Sequence, residues 1–368
     1  MVKITGIEIY PLQADFKKPF SFSGITRLSS NNVILTITAD QGACGWGEAC
    51  PVPGMSGETA ASICAVLKDY FAPLLIGQDP LDIAVLTRRV ENSVNGNICA
   101  KSGVNIALYD LVGKLLCVPV YTLLGGKHRD EIEVNGSIGI GTAAEMLAAC
   151  EEQMAECGVR YLKLYCGKES VAQDVRKLKE VIGGIGGQAQ VFLDVNQQWS
   201  PKEAIKAIRS LEEEGLLFVE QPTPKWDLEG MRQVCQAVTT PIAADEAVFA
   251  VTDITRLAMA QACDMIAVYA MKPGGISGGH EAAILAQAAG MDCFIGSYLE
   301  LGVATAAGIH LAATIPDLKY PCYMYGPMKY SQDVLQQPLQ VHRGKVAVPE
   351  GPGLGIDVDM ERLLAMRL

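Results

Sequence analysis

Two kinds of hydrophobic pattern divide the chain. Up to about residue 50, apolar and polar positions alternate, as in ITGIEIYPL and NNVILTITAD, which predicts β-strands before a turn at GACGWGEA. From 57 to 125 the apolar positions recur at helical spacing, through GETAASICAVLKDYFAPLL, PLDIAVLTRRVENSV and AKSGVNIALYDLVGKLL. Strands followed by segregated helices predict a small α+β domain over 1–125. From about 131 short apolar runs alternate with amphipathic ones. The strand candidates are IEVNGSI, YLKLY, QVFLDV, LFVEQ, PIAADE, MIAVYAM and DCFIGS, with helical runs such as TAAEMLAACEEQMAECG and SPKEAIKAIRSLEEEG between them. So many strand–helix repeats predict a parallel sheet, and at this number a closed barrel over 126–322. An open doubly wound sheet would more often carry GxGxxG after its first strand, and this chain has none. Residues 323–368, through VHRGKVAVPEGPGLG, are expected to supply the last barrel strand and return to the first domain.

Composition removes several classes of function. Lys and Arg number 30 against 41 Asp and Glu, a net charge of −11, which argues against a nucleic-acid partner. Mean hydropathy is high at +0.21. The longest charge-free stretch near the end, Leu301–Pro316, has 16 residues and contains His310. It reads as a buried helix, and no membrane partner is expected. Twelve cysteines form no CxxC pair and only four histidines are present, so no zinc pattern can be written. Cysteines inside apolar runs, such as Cys64, Cys150 and Cys293, read as reduced buried thiols. With no secretion signal in MVKITGIEIY, a cytoplasmic location is expected.

Barrel enzymes carry their chemistry at the C-terminal ends of strands. Those ends hold Lys163, Tyr165, Asp194, Glu220, Asp245, Tyr269 and Glu300. Glu220 follows Asp194 by 26 residues, Asp245 follows Glu220 by 25, and Tyr269 follows by 24, each the length of one βα unit. Three carboxylates from successive strands therefore converge at one mouth. They repel each other unless a cation neutralises them, and all-oxygen ligands select a hard ion such as Mg²⁺. A single such acid is more often a helix cap or a surface ion-pair partner; three in register favour the metal.

With these residues in place the chain resembles the enolase superfamily, in its mandelate racemase/muconate-lactonizing subgroup. The matching segments are GWGEACPVPG, AKSGVNIALYDLVGKLLCVPVYTLLGG, DVNQQW, FVEQP, IAADEA, MKPGGISGG and EGPGLG, spread over nearly the whole chain. The resemblance implies a modified TIM barrel, (β/α)7β, with an N-terminal α+β capping domain. It implies Mg²⁺ on Asp194, Glu220 and Asp245, removal of a proton α to a carboxylate, and a homo-oligomer.

The departures from the subgroup pattern fall on the bases. Where it has Lys-x-Lys, this chain has Lys163-Leu164-Tyr165; where it has a Lys near the end of the sixth strand, this chain has Tyr269. Lys272 matches a second, supporting lysine. Free Tyr has a pKa of about 10, so a phenolate at pH 7 needs roughly 4 kcal/mol of help. Lys163 lies on the same strand face, two residues from Tyr165, and is expected to supply it. Tyr269 has no equally close cation in sequence. Glu300, in SYLELG, maps to a substrate-binding Glu of the subgroup. Tyr323-Met324-Tyr325 stands where dipeptide epimerases carry Asp-x-Asp, which disfavours a dipeptide. Tyr298, Tyr323 and Tyr325 form a candidate aromatic wall, and Phe20, in the lid candidate KKPFSFSGITR, a candidate substrate contact. The expected activity is β-elimination from a small carboxylate, with a cyclic amino acid as the first candidate. The alternatives are an epimerase or cycloisomerase, or a metal-binding relic that binds a carboxylate without turnover.

Overall fold

In a computed structural model of the chain, residues 2–368 are described. Strands β1 (Ile4–Phe22), β2 (Ile25–Ala39) and β3 (Cys44–Ala49) form an antiparallel meander. The segment 17–27, read from sequence as a lid loop, is instead the tip of the β1–β2 hairpin. Its two-residue turn, Ser23–Gly24, has φ of 48° and 73°, the left-handed geometry that suits a tight hairpin. The strand register breaks between Asp15 and Phe20, just below this tip.

The helix Ile98–Leu116 is buried along most of its length and lies directly on β3. Glycine permits the contact: a Cβ on Gly47 would fall 2.1 Å from the Gly103 carbonyl oxygen. Gly47→Ala should therefore cost about 1–3 kcal/mol, the usual range for overpacking. Thermal unfolding would show it, and an unchanged melting temperature would mean that the helix sits further out. Asp110 on this helix accepts from Trp46 N at 2.7 Å, Leu354 N at 2.8 Å and Lys114 Nζ at 2.7 Å. It thereby ties β3 to the EGPGLG turn.

Strand β4 (Glu131–Glu133) leaves the barrel to pair with β12 (Lys345–Ala347). The barrel sheet is parallel and in chain order: β5 (Gly136–Ile138), β6 (Tyr161–Tyr165), β7 (Gln190–Asp194), β8 (Val219–Glu220), β9 (Ile242–Ala244), β10 (Met265–Val268) and β11 (Asp292–Ile295). The eighth position is reduced to Cys322–Tyr323: Tyr323 N donates to Ile295 O at 2.7 Å, and Asn135 N donates to Cys322 O at 3.2 Å. These contacts join the last strand to the first. Phe192, Phe218 and Phe294 fill the interior, with ring centroids 4.3 and 5.1 Å apart. Capping boxes at Thr142/Glu145 and Ser200/Glu203 start the helices after β5 and β7. Ser331 N donates to Asp15 O, and Gln13 N to Met366 O, so the C-terminal segment runs back along β1.

The charge-free stretch becomes the helix Gly302–Thr314, wholly buried. Leu301 offers it no side-chain cap. Two distant carboxylates cap it instead: Glu48 of β3 accepts from Leu301 N at 2.7 Å and Ala304 N at 2.9 Å, and Asp333 accepts from Gly302 N at 3.0 Å. Asn32 Nδ2 donates to Glu48 at 2.7 Å. No helix among the described residues is long and apolar enough to cross a membrane.

His310 sits inside this helix. Its Nε2–H donates to Leu354 O at 3.1 Å, and Nδ1 accepts from Tyr121 N at 3.4 Å, which defines a neutral ring. Burial pushes its pKa down from 6.5 to about 4. The unfolded chain therefore binds the extra proton first as the pH falls. Stability should be full above pH 6.5 and decline as pH drops through 4, by roughly 3 kcal/mol for this group. Unfolding measured across that range should show the slope, and His310→Gln should flatten it.

Candidate active site

Parallel pairing puts the acids side by side. Tyr165 is level with Asp194 and Asp194 with Glu220, while Asp245 follows the end of β9 by one residue. Carboxylate oxygens of Asp194, Glu220 and Asp245 lie within 4.8 Å of one another, all buried. Lys163 Nζ stands 2.7 Å from Asp194 Oδ2 and 2.8 Å from Glu220 Oε2. Glu220 Oε1, by contrast, is buried with no partner. Asp245 accepts from Lys272 Nζ at 2.5 Å and from the Tyr269 hydroxyl at 2.9 Å.

The electrostatics follow from burial and crowding. Burial, with Asp194 beside it, holds the Glu220 carboxyl well above the usual carboxylate range. Burial also raises Asp194, against the pull of Lys163. Burial alone would raise Asp245 too, but Lys272 and Lys163 outweigh it and hold it low. Lys163 loses solvation, yet Asp194 and Glu220 keep it charged, well above the ordinary lysine range. The site is thus a buried acidic cluster with two ammonium groups, Lys163 and Lys272, paired against it.

A cavity of about 340 Å³ opens beside the acids. Phe20, Lys163, Tyr165, Asp194, Asp245, Tyr269 and Tyr298 line it, together with Phe22, Val52 and Met55 from the capping domain. Asn196, Ser297 and Leu299 also line it. Sequence reasoning missed these three; the only signal was that Asn196 falls within DVNQQW and the other two flank Tyr298 in SYLELG. Leu299 has a φ of 66°, and Tyr330 OH donates to its carbonyl at 2.5 Å, which holds the turn.

Four expectations about side-chain placement change. Lys163 does not reach the Tyr165 hydroxyl; its Nζ stands 5.1 Å from the ring centroid, drawn off by the two acids. The Tyr165 ring is packed by Phe20 and Phe22, at 5.6 and 6.0 Å. Burial raises its pKa well above 10, despite Lys163. Tyr269 does have a close cation: Lys272 Nζ is 3.9 Å from its ring centroid. Burial and Asp245 nevertheless keep the phenol protonated. Glu300 turns back into its own loop, accepting from the Ser297 hydroxyl and from Tyr298 N, and does not line the cavity. Tyr323 donates to Ser137 Oγ at 2.8 Å behind the wall, and Tyr325 faces a separate groove. Only Tyr298 of the expected aromatic wall meets the cavity, with its buried hydroxyl unpartnered.

Residues 5–125 match the mandelate racemase / muconate lactonizing enzyme N-terminal domain, and residues 145–362 match the enolase C-terminal domain-like family. The L-Ala-D/L-Glu epimerase of Bacillus subtilis is 33% identical over 96% of this chain and 97% of its own length. Muconate cycloisomerase 1 of Rhodococcus opacus is 31% identical over 98% and 97%. The crystal structure of a muconate lactonizing enzyme from Pseudomonas fluorescens complexed with muconolactone superposes with a TM-score of 0.97 and 32% identity, covering 100% of this chain and 99% of that one. A barrel with three carboxylates on successive strands, closed by a meander-and-helix cap and matched end to end by these isomerases, makes the chain a member of the enolase superfamily, in its muconate-lactonizing subgroup.

Proposed function

We propose that the protein removes a proton α to a carboxylate with the help of Mg²⁺, and that the reaction ends in β-elimination from a small carboxylate, with a cyclic amino-acid derivative as the first candidate. The observation that carries this reading is the buried acid cluster, in which Asp194 and Glu220 share a single ammonium, Lys163, and Glu220 Oε1 has no donor. Buried carboxylates are otherwise paired or metal-bound, and three oxygen donors from separate strands suit a hard cation. Asp194, Glu220 and Asp245 would hold the ion. Bound there, it offsets the negative charge that builds on the substrate carboxylate as the α-proton leaves.

The chain's own groups do the rest. Phe20, Phe22, Val52 and Met55 cover the cavity and exclude water. Tyr165 is the group placed to take the α-proton, and the Lys163 charge beside its ring favours the phenolate against the burial that opposes it. As the Cα–H bond breaks, Cα=Cβ forms and the β-hydroxyl departs, taking the proton back from Tyr165 to leave as water. Tyr269, hydrogen-bonded to Asp245, keeps its proton on the far side.

A second reading has one specific support. Strands β6 and β10 are four positions apart in an eight-position barrel, so Tyr165 and Tyr269 face each other across the mouth. That arrangement suits an epimerase, in which one group removes the proton and the other returns it. Incubating candidate carboxylates with Mg²⁺ in D₂O separates the outcomes. Deuterium at the α-carbon of recovered substrate reports epimerisation, unsaturated or keto products report elimination, and neither reports a relic that only binds. Ala-Glu should show no exchange, because Tyr323 and Tyr325 offer no carboxylate to an α-ammonium. Exchange at an enzymatic rate would overturn that assignment. All twelve cysteines are free, in keeping with work in a reducing cytoplasm, and assembly into a homo-oligomer is testable by light scattering.

A further inference from the structure

One polar group on the cavity wall is bonded to nothing in the protein. The Tyr298 hydroxyl is buried without a partner, while the rest of the residue is held firmly. Its N–H donates to Glu300 Oε1 at 2.8 Å, and its carbonyl accepts from Cys50 Sγ at 3.5 Å. Its ring packs on that of Tyr269, with centroids 5.1 Å apart and planes tilted by 55°. The hydroxyl oxygen therefore has a set position, and only its O–H can turn.

The groups around it are engaged elsewhere. Asp245 accepts from Lys272 and Tyr269, Glu300 accepts from Ser297 and Tyr298 N, and Glu246 Oε1 accepts from Asn196 at 3.2 Å. The Ser297 hydroxyl is shared between Glu300 and Leu299 N. Burial holds the Tyr298 phenol well above 10, and Cys99, Asp245, Glu246 and Glu300 add to the effect, so it stays a donor. A buried donor left unpaired is costly for structure alone. Its neighbour Tyr269 shows the contrast, with its hydroxyl bonded to Asp245.

Position narrows what can complete it. Tyr298 packs on the Tyr269 side of the mouth, across from Tyr165. The β-oxygen of the proposed elimination departs on the Tyr165 side, so the atom that meets Tyr298 is another one. Asp245 is held ionised on this side, which favours an uncharged acceptor over a second anion.

We propose that the Tyr298 hydroxyl is a specificity-determining donor, and that the substrate carries a neutral oxygen acceptor, as hydroxyl, ether or carbonyl, besides its carboxylate and its leaving group. A site built to donate one hydrogen bond rejects an analogue that lacks the acceptor, because its donor is then left unpaired. The inference rests on the reading that the acid cluster holds the reacting carboxylate through Mg²⁺.

Titration calorimetry in MgCl₂ tests it, with cyclopentanecarboxylate compared with its ring-hydroxy and ring-keto derivatives in all positional and stereoisomers. At least one oxygenated ring should bind about 10-fold more tightly than the parent, the order of one hydrogen bond to a donor otherwise unpaired. Tyr298→Phe should bring that ratio to about 1 while the parent ring binds as before. The ligand-free variant should melt no lower than the unaltered protein, because the hydroxyl holds nothing in the fold. A preference that survives Tyr298→Phe assigns the acceptor to another group, such as Asn196, and overturns the proposal. So does the absence of any preference in the unaltered protein, or a lower melting temperature in the variant with all ligands weakened alike. If the preference and its loss in Tyr298→Phe appear with and without Mg²⁺, Tyr298 keeps its role and the metal reading of the acid cluster fails instead.

Discussion

Glu220→Gln should abolish Mg²⁺-dependent turnover while leaving the metal-free fold at least as stable as before. The two halves have one cause. Glu220 is buried against Asp194 and Asp245 and shares the Lys163 ammonium with Asp194. Removing its charge relieves a repulsion, and Asp194 keeps its contact with Lys163. The same change deletes one of three charged ligands. A ligand that binds only the folded state stabilises it by about 2.7 kcal/mol at 100 times its dissociation constant. The unaltered protein should therefore melt at higher temperature as MgCl₂ is added, and Glu220→Gln should show little of that rise. An equal rise in both proteins would mean that the ion binds elsewhere, and the proposed chemistry would lose its metal.

Tyr165→Phe should lower turnover by about 10²- to 10⁴-fold, the usual worth of a general base. The ring stays in place between Phe20 and Phe22, so folding and Mg²⁺ binding should survive. Lys163→Met should be as damaging to turnover, and should also move the alkaline side of the pH profile upward, because the phenolate loses its nearest cation. Without Mg²⁺, Lys163→Met also strips Asp194 and Glu220 of their partner, a loss of about 3–5 kcal/mol for a broken buried pair. Turnover and metal-free melting together thus separate the two residues. If Tyr269→Phe abolishes α-proton exchange and Tyr165→Phe spares it, the proton leaves from the opposite face and the two tyrosines exchange roles.

The barrel strands were legible because each is a short apolar run ending at a polar residue. QVFLDV contains β7 and places Asp194 at its end, as LFVEQ places Glu220. Spacing along the chain was therefore enough to find the acid cluster. The hairpin tip was harder. KKPFSFSGITR looks like a loop until Ser23–Gly24 is recognised as a two-residue turn within a long ribbon. The direction of Lys163 was not legible at all. Strand alternation puts it on the same face as Tyr165, but two buried acids, Asp194 and Glu220, take its charge, and their positions come only from the curled sheet. Glu300 was misjudged for a related reason: a carboxylate at a strand end can satisfy itself on its own turn, and Ser297 and the Tyr298 amide are within its reach.

The caps of the helix Gly302–Thr314 bear on how such proteins diversify. Glu48 belongs to the N-terminal meander, while the amides it holds, Leu301 N and Ala304 N, begin a barrel helix directly after the loop that carries Tyr298 and Leu299. A chimera that took its N-terminal meander from a relative lacking this Glu would leave those amides without their acceptor. It would also loosen one wall of the cavity, although no residue of that wall had been exchanged. Glu48, held in place by Asn32, thus forms with those amides a compatibility lock across the domain boundary. Successful recombination between members should keep that lock intact, and libraries that shuffle the N-terminal segment should recover active clones chiefly where the incoming segment carries both Asn32 and Glu48.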